Sequence, residues 1–347
     1  MRRSLANGPH TPGAGYRLGV TQFLVDYNLY LILGILLIVS SLVSKQFFTA
    51  NNLMNLLLRS SFNGLISLGM TFVILTGCTD LSVGSTFAFA GVFLATLQRG
   101  YYFRFMPQLT HAFEQAGELN PILPLPAALA LTVAVGGVIG LVNGLLVTKA
   151  RIPAFAATLG TMVAVRGLAF TYAGGFPIPG LTDGVKWLGA GQVGLVPVPV
   201  IVWAIGILVS WTTLKYTVFG RRVYAVGGGE RAARLSGIDV DRTKITVFVV
   251  SGMLAALSGA IMAGRMNAAE PREGAGYELD AIAAVVIGGT LLSGGKGGVL
   301  GTVAGAIVLG LISNILNLAN VAPYPQQIAK GLIILGSVVM QRFVGRK

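Results

Sequence analysis

The sequence predicts an all-α integral membrane protein with about ten transmembrane helices, some of them short or broken. Two observations carry this prediction. Of the 347 residues, 54% are hydrophobic and only 11% are charged, whereas about a quarter of the residues in a soluble domain are charged. The apolar residues also fall into ten runs, most of them close to the roughly 20 residues that a helix needs to cross a bilayer.

The ten apolar runs are the candidate transmembrane helices. They span residues 23–44, 60–79, 81–98, 123–148, 153–174, 195–214, 245–264, 280–294, 298–318 and 327–342. The eighth and ninth runs adjoin at Gly294–Gly298, where we expect the backbone to turn at the inner membrane face.

The basic residues predict that both termini lie inside the cell. With the N-terminus inside, 16 of the 25 Lys and Arg residues fall on the inner side and 7 on the outer side; Arg166 and Lys330 lie within runs. Since basic residues concentrate on the cytoplasmic side, this split favours an even number of crossings. We expect a cytoplasmic tail at 1–21, a single transmembrane domain at 22–342 and a second cytoplasmic tail at 343–347.

A polar block at 215–244 interrupts the apolar pattern and carries seven of the basic residues. Such a block cannot lie in hydrocarbon, so we expect a cytoplasmic aqueous loop. A large basic loop that contains a short Ala-rich helix pattern suits a membrane subunit that binds a soluble, energy-supplying partner protein. The block therefore favours a transport permease.

Several other functions are disfavoured by composition. The net charge of +13 could indicate nucleic acid, but the cations lie between apolar segments and form no solvated face with aromatic residues. The single Cys78 and two histidines argue against disulfides and metal catalysis. At Lys296 the phosphate-loop pattern fails twice, because Thr290 and Gly297 stand where it needs Gly and Ser or Thr. We therefore expect no catalytic residue, no metal site and no cofactor on this chain.

Recurrent glycines predict tight helix packing. Gly136, Gly140 and Gly144 share one helix face, and Gly301 and Gly305 share another. Because lipid provides no hydrophobic drive between helices, close backbone approach must hold them together.

Polar residues inside apolar runs are the next candidates. Asp80 precedes residues that can cap the following helix, and we favour that structural role over one in lining the translocation pathway. Arg166 lies too deep for easy snorkelling, and its partner is a carboxylate, a backbone carbonyl or pore water. Asn143 is expected to make helix–helix hydrogen bonds.

The outer loops are mixed or acidic in charge. The loop at 100–122 carries Glu114 and Glu118, and the loop at 265–280 carries four acidic residues. The latter either helps to dock a solute-delivering protein or is an ordinary solvated loop.

Four ordered motifs resemble the sugar-type permeases of bacterial ABC importers, the ribose, xylose and arabinose group. The segment Leu68–Ser85, LGMTFVILTGCTDLSVGS, is similar to the family signature, with Cys78 and Thr79 in place of Gly and Ile. The other matches lie at 149–169, 220–238 and 276–295. The resemblance runs from about 21 to 342.

This resemblance implies a set of partners and a location. It implies a dimer with a second permease copy or a paralogue, ATP-binding subunits that carry ATP and Mg, and a periplasmic or lipid-anchored sugar-binding protein. The expected location is the bacterial cytoplasmic (inner) membrane, with lipid contacts and no nucleic acid. The family's coupling helix falls on residues that match the E-A-A…G pattern or lie within it: Glu230, Arg231, Ala232, Ala233 and Gly237.

Two functions are weighed. The first is a permease that imports a monosaccharide or similar small polyol by alternating access, driven by separate ATPases. The second is a secondary transporter driven by an ion gradient, a class that usually shows inverted repeats and buried carboxylates. The sequence shows no convincing repeat and only Asp80 as a buried acid, so it favours the first. It does not rank the possible sugars.

Overall fold

The computed structural model describes residues 28–99 and 121–344, and this part of the chain is mostly helical. Its helices are α1 (Asn28–Val43), α2 (Ala50–Leu75), α3 (Val83–Arg99), α4 (Leu125–Thr148), α5 (Ala154–Ala173), α6 (Asp183–Ala190), α7 (Val198–Tyr216), α8 (Val218–Gly228), α9 (Glu230–Leu235), α10 (Val240–Met266), α11 (Tyr277–Ile287), α12 (Val299–Leu318) and α13 (Pro323–Val344). Four two-residue strands are β1 (Ile178–Pro179), β2 (Gln192–Val193), β3 (Val196–Pro197) and β4 (Ala268–Ala269).

Each of the ten predicted apolar runs overlaps a helix. Among the described residues, six helices are long and apolar enough to cross a membrane: α2, α4, α5, α7, α10 and α12. The chain is therefore a multi-pass membrane protein built from helices. The count of ten crossings and the orientation stay predictions. The N-terminal tail, most of the loop at 100–122 with Glu114 and Glu118, and residues 345–347 lie outside the described residues.

Several helix ends differ from the predicted ones, and three of the differences have a clear local reason. Helix α2 begins ten residues early, because the Thr49 side chain accepts a hydrogen bond from the Asn52 amide and caps it. Helix α10 begins five residues early, because Asp239 caps it in the same way. The last part of the predicted loop at 215–244 is therefore the first turn of α10. Helix α11 ends at Ile287, where Gly289 takes a left-handed φ of 84°.

Helix α10 lies at the centre of the bundle and packs along α2, α3 and α4. A side-chain carbon at Gly140 would lie 2.1 Å from the Phe248 carbonyl oxygen, and one at Gly136 would lie 2.3 Å from the Gly252 carbonyl oxygen. The predicted glycine face of α4 is thus confirmed as a close contact with α10. The second pair is confirmed too, since Gly301 and Gly305 of α12 meet α11 in the same manner.

Short elements close the end of the bundle that lies opposite the polar block. Strand β1 pairs antiparallel with β4, and β2 pairs with β3 in a hairpin. Helix α6, which hydropathy did not predict, packs on α10 through glycines. A side-chain carbon at Gly189 would lie 2.3 Å from the Ile261 carbonyl oxygen, so α6 fits only because that residue is glycine.

Candidate functional site

The polar block folds into two short helices, α8 and α9, between α7 and α10. Helix α9 ends at Leu235, and Gly237, just past the Ser236 cap, has a left-handed φ of 79°. The Gly237 amide donates to the Arg234 carbonyl, and the Ile238 amide donates to the Ala233 carbonyl, each at 3.0 Å. This pair of bonds is the Schellman arrangement, which favours glycine at its left-handed residue. The expectation that Gly237 suits a helix end is confirmed.

The two alanines of α9 face opposite ways. Ala233 is only 4% exposed and packs with Val226 of α8 and Val240 of α10, so it anchors α9 to the rest of the chain. Ala232 is exposed, and Leu235 is 83% exposed. The outer face of α9 therefore carries an uncovered leucine that the sequence motif did not identify. An apolar residue at the end of an otherwise polar helix is the pattern that could have indicated it.

Ion pairs tie α9 to the neighbouring long helices. Asp241, in the first turn of α10, accepts from Arg234 at 2.6 Å and from Lys149 at 3.2 Å. Lys244 of α10 donates to Glu230 at the start of α9. The Asp241 carboxylate raises the pKa of the Arg234 guanidinium above its ordinary value. Helix α9 is therefore tied to the start of α10, and Asp241 of α10 connects it in turn to the end of α4.

Helix α8 rests on a glycine-rich turn that joins α11 to α12. The Tyr224 hydroxyl donates to the Gly297 carbonyl at 2.9 Å, and the Gly295 amide donates to the Leu75 carbonyl at 3.0 Å. A side-chain carbon at Gly227 would lie 1.8 Å from that same Leu75 oxygen. The predicted turn at Gly294–Gly298 is confirmed, and it links α8 to the end of α2.

Asp80 and Asn143 are brought together in a buried network. The Asp80 carboxylate is 1% exposed and accepts from the Ser82 amide at 3.0 Å and from its hydroxyl at 2.7 Å. The Ser251 hydroxyl of α10 donates to the other oxygen at 2.9 Å. Asn143 of α4 donates to Asp80 at 3.4 Å and to Ser82 at 2.8 Å. The carboxylate thus joins α4, α10 and the start of α3.

Arg166 lies apart from this network, and its partners are backbone carbonyls. It donates to the Pro271 and Glu273 oxygens at 2.8 and 2.7 Å. These bonds fasten α5 to the segment 267–276, which is shorter than the predicted loop at 265–280. Asp280 lies in the first turn of α11 and pairs with Lys330 at 2.8 Å.

The described residues contain no group of three or more His, Cys, Asp and Glu side chains that could hold a metal. Absence of a bound cofactor, and the roles of the selected residues, stay predictions.

Comparison with known proteins gives consistent results. Residues 52–338 match the family described as "Branched-chain amino acid transport system / permease component". The chain is 40% identical over 332 residues to the ribose import permease of Haemophilus influenzae, covering 94% of this chain and 96% of that one. It is 42% identical over 315 residues to the ribose import permease of Bacillus subtilis, covering 90% and 91%.

A third relative transports a different sugar. The chain is 34% identical over 341 residues to the L-arabinose transport permease of Escherichia coli, covering 97% of this chain and 96% of that one. No solved structure matches.

Proposed function

Since this chain belongs to the family of permease components that its residues 52–338 match, we propose that it carries a monosaccharide into the cell as the membrane subunit of an ABC importer. The observation that carries the proposal is the sequence identity of 34–42%, over at least 90% of this chain, to permeases named for ribose and arabinose import. The family description names amino acids, but the relatives that cover almost the whole chain are named for sugars. A pentose is therefore the first cargo to test.

In this proposal, other subunits hydrolyse ATP and this chain does not. ATP and Mg are bound by separate subunits, and a periplasmic or lipid-anchored binding protein delivers the sugar. The chain works as a dimer with a second copy or a paralogue in the bacterial cytoplasmic membrane, with both termini inside and ten crossings. A gradient-driven secondary transporter is not favoured by the relatives.

Helix α9 is the proposed contact with the ATP-binding subunit. Its outer face presents Ala232 and Leu235, and its inner face is held by Ala233. Exposed apolar side chains on a polar helix fit a hydrophobic groove in a partner. Glu230 and Gly237 fix the ends of the helix, and Arg231 lies exposed beside them.

Co-purification tests this contact. We expect the ATP-binding subunit encoded with this chain to elute with the wild-type protein at a fixed stoichiometry. Leu235→Glu should remove that subunit, because a carboxylate would be buried in the apolar groove. Leu195→Glu is the matched control, since Leu195 is 84% exposed in the hairpin at the opposite end of the bundle. Retention of the subunit by Leu235→Glu would reject α9 as the contact.

A further inference from the structure

A polar pocket of about 680 Å³ lies between α9 and the end of α4. Its volume falls within the range of small-molecule sites. The lining carries four basic side chains and two acidic ones: Lys149, Arg151, Arg234, Lys244, Glu230 and Asp241. Because the basic side chains outnumber the acidic ones, the pocket favours an anionic ligand.

Arg151 provides a positive charge that the lining does not balance. Both carboxylates of the pocket are engaged by the other three basic side chains, Asp241 by two of them and Glu230 by the third. In the described part of the chain, no carboxylate lies within ion-pair distance of Arg151. Its backbone has a left-handed φ of 54°, which residues other than glycine rarely adopt. Such conformations are frequent at ligand-binding sites, where the surrounding structure holds them.

The pocket lies at the level of the lipid headgroups. Helices α4 and α5 are both long and apolar enough to cross a membrane, so the turn at 149–153 that joins them lies at a membrane surface. Val147, the last apolar residue of α4, also lines the pocket. The pocket therefore begins where the apolar length of α4 ends. Basic pockets between transmembrane helices bind phosphate-bearing headgroups, and the donors of a guanidinium match the geometry of phosphate oxygens.

We propose that this pocket binds a phosphate group and that the headgroup of an anionic phospholipid supplies it. Arg151 donates to the phosphate oxygens, and the phosphate adds the negative charge that the lining lacks. Leu235 is not part of the lining, so the lipid and the proposed ATP-binding partner use different residues of α9. The turn at 149–153 lies at a membrane surface in either orientation of the chain. The proposal therefore depends neither on the predicted topology nor on the transported solute.

Native mass spectrometry of the full chain in a neutral detergent tests lipid binding. We expect the wild type to bind phosphatidylglycerol in preference to the zwitterionic phosphatidylcholine. Arg151→Asn should weaken phosphatidylglycerol binding about ten-fold, the cost of one hydrogen bond to a charged group. Asparagine tolerates the left-handed conformation, so this change removes the charge and keeps the turn. Arg222→Gln is the matched control and should bind as the wild type does, because Arg222 is exposed on α8 outside the pocket.

Thermal unfolding in the same detergent distinguishes the two sources of phosphate. We expect phosphatidylglycerol to raise the unfolding temperature of the wild type and of Arg222→Gln but not that of Arg151→Asn. Inorganic phosphate at the same concentration should have no effect. Stabilisation by inorganic phosphate equal to that by the lipid, and lost in Arg151→Asn, would reject the lipid as the source.

Two results would overturn the phosphate site itself. One is equal phosphatidylglycerol binding by the wild type and Arg151→Asn, and the other is an equal loss of binding in Arg151→Asn and Arg222→Gln. Arg151→Gly decides the case in which Arg151→Asn fails to fold, because glycine adopts the left-handed conformation without strain.

Discussion

At the scale of single residues, Asp80 is where three helices are joined. Its carboxylate is buried and accepts hydrogen bonds from Ser82, Asn143 and Ser251. An intramembrane carboxylate is costly unless such donors surround it. The sequence predicted that Asp80 would be satisfied near the start of a helix. It could not predict the donors on α4 and α10, because they lie far away along the chain.

Replacing Asp80 tests its structural role. Asp80→Ala leaves several buried donors without an acceptor, so we expect a loss of about 3 kcal/mol in stability. Thermal unfolding in mild detergent measures this loss. Asp183→Ala is the control, because the Asp183 side chain is 98% exposed and its pair with Lys186 is worth about 0.5 kcal/mol. Wild-type stability of Asp80→Ala together with lost uptake would assign Asp80 to the pathway instead.

At the scale of elements, hydropathy predicted where the long helices lie but not where they end. Caps at Thr49 and Asp239 extend α2 and α10 beyond their apolar runs, and Gly289 stops α11 early. These ends depend on hydrogen bonds and backbone angles, and the average hydropathy of a run of residues carries no information about either. Helix α6 was missed because its eight residues are too few to cross a membrane.

The sequence could not predict which face of α9 is exposed either. With six residues it makes fewer than two turns, so periodicity cannot distinguish the face of Ala232 from that of Ala233. In the structure, burial distinguishes the two faces, because Ala233 packs inward against Val226 and Val240. The motif therefore identified the segment, and packing identified its free face.

The glycine contact between α4 and α10 provides an element-scale prediction. Gly140→Ala would place a methyl group 2.1 Å from the Phe248 carbonyl oxygen, so the helices must separate. We expect a loss of about 1–3 kcal/mol from such overpacking. Gly160→Ala is the matched control, because nothing lies within 4 Å of its new carbon. Equal unfolding temperatures for both variants would contradict a tight α4–α10 contact.

For the molecule as a whole, charge along the chain predicted an orientation, whereas the packing of α6 on α10 could not be predicted. Gly189 and Ile261 belong to α6 and α10, and neither stands out as part of a motif. Only the folded arrangement of the helices brings them together. Conversely, the orientation depends on charge bias, which the sequence displays directly.

Labelling of intact cells tests that orientation. Gln192→Cys lies in the hairpin predicted to be outside, and Ser236→Cys lies at the end of α9, predicted to be inside. With native Cys78 buried, we expect a membrane-impermeant maleimide to label only Gln192→Cys until the cells are lysed. Labelling of Ser236→Cys in intact cells would reverse the proposed topology.

The most direct test of ATP-driven sugar import is uptake by the reconstituted importer. The chain would be reconstituted in proteoliposomes with its ATP-binding subunit and its binding protein, and uptake of labelled D-ribose would be followed. If the chain belongs to an ATP-driven importer, we expect uptake that requires hydrolysable ATP and persists when proton and sodium gradients are collapsed. Uptake by the chain alone, driven by an imposed ion gradient without ATP, would contradict it.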